Sequence, residues 1–137
     1  MGKAKNVSFI ESYISFERAA DNVTKRKGGG VSAYIDAIER QKPDASAQST
    51  LKFLKRCRIV RNKLAHDVGA LKSNSEISRS DTKKLRKLTS QISKGKDPLS
   101  RLIRKRARRA FSRRMAVILL AIAAIITKLH LQGEQSS

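Results

Sequence analysis

A chain of 137 residues allows one domain and an appended element, and with no Trp, four Phe and two Tyr its core must be mostly Leu, Ile, Val and Ala. Thirty-one Lys and Arg against eleven Asp and Glu leave a formal charge of +20, which repels itself in the compact state and calls for an anionic partner, either nucleic acid or an anionic membrane surface. The single cysteine, Cys57, excludes an intramolecular disulfide; with two distant histidines it argues against a structural zinc site and fits a reducing cytosolic compartment.

The start, "MGKAKNVSFIESY", is basic with no long apolar stretch behind it, so no secretory signal is expected. Ser8 and Glu11 have capping-box spacing ahead of Phe9, Ile10, Tyr13, Ile14 and Phe16, which predicts a first helix over about residues 8–25. It stops at "RKGGG", whose glycines leave the backbone too free to stay helical. "KGGGVS" lacks the spacing and strand context of a phosphate loop and reads as a flexible turn. Ala33, Tyr34, Ala37 and Ile38 then repeat at helical spacing, giving a short second helix that ends before Pro43. "DASAQS" offers several N-cap residues for a third helix over about residues 49–67, ended by Gly69. "GALKSNSEIS" reads as a polar loop. Ser78 or Ser80 caps a fourth helix, "DTKKLRKLTSQISK", which ends at Gly95. No stretch shows strand alternation and no repeat is found.

After "GKDPLS" the character changes. "RLIRKRARRAFSRR" carries eight cations (Arg101, Arg104, Lys105, Arg106, Arg108, Arg109, Arg113, Arg114) and no acid, and "MAVILLAIAAIIT" follows with thirteen uncharged residues. Leu99 to Gln132 predicts one long helix with Gly133 at its C′ position. The fold class is therefore all-α: a four- to five-helix up-and-down bundle over residues 1–97, with a basic helix continuing into an apolar segment over 98–137. Residues 115–131 would span about 25 Å as a helix, short of the roughly 30 Å hydrocarbon core unless Lys128 and the flanking arginines snorkel. The cations on their N-terminal side fit the positive-inside rule for an anchor holding the domain at the inner face of the cytoplasmic membrane. A buried helix of the domain or of a dimer is the alternative. The cluster from Arg101 to Arg114 would lie among anionic headgroups in the first case, or bind RNA phosphates if the tail is soluble.

Along the third helix, Phe53, Cys57, Val60 and Leu64 fall within about 60° of one another and form the core stripe. Asn62 and His66 stack roughly opposite it, on a side shared with Leu51, Ile59, Ala65 and Arg58, while Arg61 lies on the shoulder. Such a mixed face suits a partly buried interface or cleft; the alternative is a solvated surface. Residues five apart point about 140° away from each other, so Arg61 and His66 of one chain do not converge unless Arg61 reaches round, the helix end distorts or a second subunit supplies a partner group; the geometry favours the two-chain site.

"RNKLAH", at 61–66, resembles the R-x4–6-H motif of HEPN domains, in the form where a polar residue follows the Arg. Arg61-Asn62, a small Ala65 before His66, and the surrounding "LKRCRIVRNKLAHDVGALKSNSEIS" and "KDPLS" carry the resemblance over about residues 8–100. The resemblance implies a metal-independent endoribonuclease acting as a homodimer across one cleft, without cofactor. Such proteins are often toxins or phage-defence effectors, sometimes paired with an antitoxin. RNA can be cut by its own 2′-hydroxyl: His66 would transfer the proton, Arg61 would steady the phosphorane, and Asn62 would orient the imidazole or bind RNA. Asp67 is a weaker candidate for fixing the tautomer, because adjacent residues point apart. Many HEPN domains are inactive, which leaves a second reading: a non-catalytic module whose basic face, including Arg58, binds nucleic acid or a partner. A third reading is a small membrane-active protein that depolarises the membrane through its tail.

Overall fold

The structure, a computed structural model, describes residues 2–66 and 76–136. Every element within them is helical: α1 Gly2–Thr24, α2 Gly30–Arg40, α3 Ala45–His66, α4 Arg79–Ser93 and α5 Pro98–Gln135. This is an all-α bundle with a long C-terminal helix, as the periodicity predicts. The chain divides into two compact units, Met1–Leu102 and Ile103–Ser137.

In the first unit α1 packs chiefly on α4 and α2, and α2 packs on α3. The centre is built from Phe9, Phe16, Tyr34, Ile35, Ile38, Leu54, Ile77 and Leu85, all fully buried. Each such side chain contributes about 1.5–3 kcal/mol by leaving water. Phe16 meets Tyr34 edge-on with ring centroids 5.5 Å apart, an arrangement that suits the ring quadrupoles.

The helix starts correct several expectations. α1 begins at Gly2, not near residue 8, because Lys3, Ala4 and Lys5 are good helix formers and nothing before Ser8 breaks the turn. Ser8 is therefore inside the helix and is not its cap; its Oγ accepts from Arg86 Nη2 at 3.1 Å. The triglycine is more than a flexible turn. Gly28 and Gly29 take left-handed φ values of 82° and 71°, and Gly30 opens α2 against α1. A Cβ at Gly30 would lie 2.5 Å from the Glu17 carbonyl oxygen and 2.6 Å from the Asp21 nitrogen, so only glycine permits this approach.

α3 starts at Ala45, ahead of the expected residue 49, because Asp44 Oδ1 accepts from the Ala47 amide at 3.0 Å. For α4 the cap is Ser78, which forms a reciprocal capping box with Asp81. α5 starts at Pro98, whose missing amide donor costs nothing at a first helical position. Asp97 precedes it, fully buried, and accepts from the Ser100 amide at 3.2 Å and from the Tyr34 hydroxyl at 2.6 Å. Pro98, Leu99 and Leu102 are buried in the first unit. At the other end α5 continues through Gly133 to Gln135, so Gly133 is not a C′ residue; it has no left-handed φ. The expected stop at Gly69, Asp67 and most of the polar loop lie outside the described residues.

In the second unit every described residue from Ile103 onward is exposed, including the large apolar ones.

Candidate functional site

The core stripe of α3 is where its periodicity puts it: Phe53, Cys57, Val60 and Leu64 are all buried. Leu51, assigned by angle to the second side, is buried too, so the covered arc of α3 is wider than that stripe. Burial pushes the Cys57 thiol up to about 12, with Asp81 adding to the rise, which leaves it a packing residue and a poor nucleophile.

Arg58, assigned by angle to the side of Asn62 and His66, bonds to α2 instead. Arg61 and Arg58 are half-buried, and Arg58 Nη1 donates to Ser32 Oγ at 3.0 Å, tying α3 to the first turn of α2. Both guanidiniums act on Tyr13 of α1. Its hydroxyl is nonetheless pushed up to about 12, by burial first and by Glu17 second, against the pull of the two arginines. Asn62, Ala65 and His66 are exposed, and Ile59 is 55% exposed beside them. Within "RNKLAH", Arg61 is thus partly covered while Asn62 and His66 are not. Arg61 of α3 acts on Tyr13 of α1, whereas Asn62 and His66 are exposed.

The eight cations of the basic stretch of α5 are all exposed: Arg101, Arg104, Lys105, Arg106, Arg108, Arg109, Arg113 and Arg114. At 100° per residue they spread around the helix and form a collar. The apolar residues that follow are also distributed on all sides. Val117, Leu119, Leu120, Ile125 and Ile126 are each 60–71% exposed. A helix apolar all round ordinarily lies inside a large core or a bilayer, and among the described residues the apolar stretch has no buried position.

Sequence reasoning overlooked a second basic constellation. Arg79, Lys83 and Arg86 recur at i, i+4 and i+7 of α4 and meet Lys5 of α1 around one cavity. The signal was legible, because like charges stacked on one helix face repel by a few tenths of a kcal/mol per pair. Among the described residues no group of three or more His, Cys, Asp and Glu side chains is placed to hold a metal ion.

Fold and surface together define an all-α protein: a basic helical unit followed by a helix long and apolar enough to cross a membrane. The chain belongs to the family of unknown function DUF6548, whose model matches residues 7–127. The matched range takes in the arginine collar and the apolar run through Thr127. No curated protein and no solved structure matches the chain.

Proposed function

We propose that this protein is a membrane-attached basic module that binds RNA at the cytoplasmic face, held there by residues 115–131. The observation that carries the attachment is the uncovered, all-round apolar surface from Val117 to Leu131, placed directly after a collar of eight cations. Such a ring suits phospholipid headgroups, and burial of the apolar side chains in hydrocarbon removes the exposure. RNA as the further partner is supported by the charge left over. Through residue 97 alone, twenty-two Lys and Arg stand against ten Asp and Glu, so the first unit stays strongly basic even with the collar engaged by lipid. The test is binding of a single-stranded RNA to the full chain in zwitterionic nanodiscs as salt is raised. Binding should weaken steeply and linearly on logarithmic axes; an affinity indifferent to salt, or none, defeats the reading.

A HEPN-like endoribonuclease built across two chains is the second reading, favoured by the face that Asn62 and His66 share with Ile59. An exposed isoleucine beside a polar pair is what a second copy would cover, and a partner's Arg61 could then approach His66 where the same chain's cannot. Cleavage of total RNA by wild type beside His66→Ala decides it. The variant should lose cleavage, and any growth toxicity, with helicity unchanged; equal activity removes His66 from the chemistry. An antitoxin partner belongs to this reading alone.

A further inference from the structure

The first turns of α1 and α4 open on one cavity of about 370 Å³, lined by Ala4, Lys5, Ser8, Arg79, Thr82, Lys83 and Arg86. Four cations converge there and no carboxylate lines it. Glu11 lines a neighbouring cavity farther along the same two helices, which shares Arg86. Arg86 is set in place: its Nε donates to Ser12 Oγ at 3.1 Å and its Nη2 to Ser8 Oγ at 3.1 Å. A guanidinium has five N–H groups, so three remain after these two bonds, in a fork whose orientation the serines already fix. Lys5 lies in the first turn of α1 and Arg79 is the first residue of α4, so the positive ends of two helix dipoles add to the field. Without a bound anion these charges repel one another.

We propose that this cavity binds a polyphosphate group, the di- or triphosphate of a nucleotide, gripped by Lys5, Arg79, Lys83 and Arg86. The class follows from the lining. Four cations match the three to four negative charges of such a group. A concave volume of this size holds a compact ligand better than a continuous backbone track. No aromatic side chain lines it to stack a base, so the phosphates and not the base are what is read. Two sources share this chemistry: a free nucleoside triphosphate and the 5′-triphosphate end of an RNA. The lining shares no residue with "RNKLAH" or with the arginine collar, and the site does not depend on membrane attachment.

The experiment is calorimetric titration of the full chain in zwitterionic nanodiscs at physiological salt. The titrants are inorganic tripolyphosphate, ATP, and one RNA oligonucleotide prepared with a 5′-triphosphate or a 5′-hydroxyl. Saturable binding of tripolyphosphate is expected, and the doubly substituted Lys5→Ala/Lys83→Ala chain should bind about tenfold or more weakly with an unchanged melting temperature. Should that variant melt early, Arg79→Ala alone, at an exposed position, reads the same loss. ATP tighter than the triphosphorylated RNA assigns the free nucleotide as the source, and the reverse order assigns the RNA end. The proposal is overturned if tripolyphosphate does not saturate, if the substitutions leave its affinity unchanged, or if Arg113→Ala/Arg114→Ala weakens it equally. The 5′-hydroxyl RNA separates the two ideas: its binding reports backbone recognition and stands or falls independently of the cavity.

Discussion

Replacing Ile122 by Arg tests the membrane reading at its most sensitive point. Ile122 lies one residue from the middle of the 115–131 segment and is 47% exposed, in the unit beginning at Ile103, and it is not one of the core residues of Met1–Leu102. The segment contains nine Leu, Ile and Val residues. At about 0.3–0.6 kcal/mol each near the bilayer centre they favour insertion by about 3–5 kcal/mol in total, less toward the ends. An arginine at mid-depth costs about 2.5–3.5 kcal/mol and forfeits the isoleucine's share, a swing of about 3–4 kcal/mol. That matches nearly the whole driving force, and at 1.4 kcal/mol per tenfold it lowers the partition into lipid by about 10²–10³. Flotation with vesicles of neutral and anionic composition measures it. Wild type should float with both, and Ile122→Arg should stay at the bottom with neutral vesicles while keeping some collar-mediated, salt-sensitive association with anionic ones. The reasoning is refuted if wild type remains soluble without detergent, or if the variant floats with neutral vesicles as fully as wild type does.

Three further outcomes concern the first unit. Gly30→Ala places a methyl carbon 2.5 Å from the Glu17 carbonyl oxygen, well inside van der Waals contact, and should destabilise the bundle by about 1–3 kcal/mol in thermal unfolding, whereas Gly133→Ala, with open space around it, should not. Asp97→Ala removes the α5 cap and strands the buried Tyr34 hydroxyl, a loss of about 2–4 kcal/mol, with Tyr34→Phe milder because Ser100 still satisfies the carboxylate. Burial tends to raise the Asp81 carboxyl, but hydrogen bonds from the Ser78 amide, Arg56 and the Ser78 side chain outweigh it and hold the group below the ordinary carboxylate value. Its stabilisation is thus present above the unfolded value of about 3.9 and lost as pH falls through the lower folded one. Denaturant midpoints should drop on that acid limb, and Asp81→Asn should flatten the drop.

The helices and their stripes were readable because periodicity is local. Phe53, Cys57, Val60 and Leu64 share a face by spacing alone, and spacing narrows the cap of α4 to Ser78 or Ser80, between which the capping box with Asp81 decides. Helix starts were read less well. Ser8 has the spacing of a cap, yet α1 forms through it, and the hydroxyl is instead occupied by Arg86, seventy-eight residues away. The candidate site divided in the same way. The angular separation of Arg61 and His66 follows from helix geometry, but that Arg61 is half-buried and acts on Tyr13 while Asn62 and His66 stay in solvent depends on where α1 lies.

Composition and order along the chain by themselves determined the strong positive charge, the all-helical class and the change at residue 98 from mixed sequence to a basic and then apolar helix. These depend only on residue type and spacing. Only the tertiary structure decided that Gly30 is a point of backbone contact, that Asp97 and Tyr34 join α2 to the start of α5, and that Lys5 meets Arg79, Lys83 and Arg86 at one cavity. Each of these joins residues far apart in the chain, and a one-dimensional pattern carries no information about which helix faces come together.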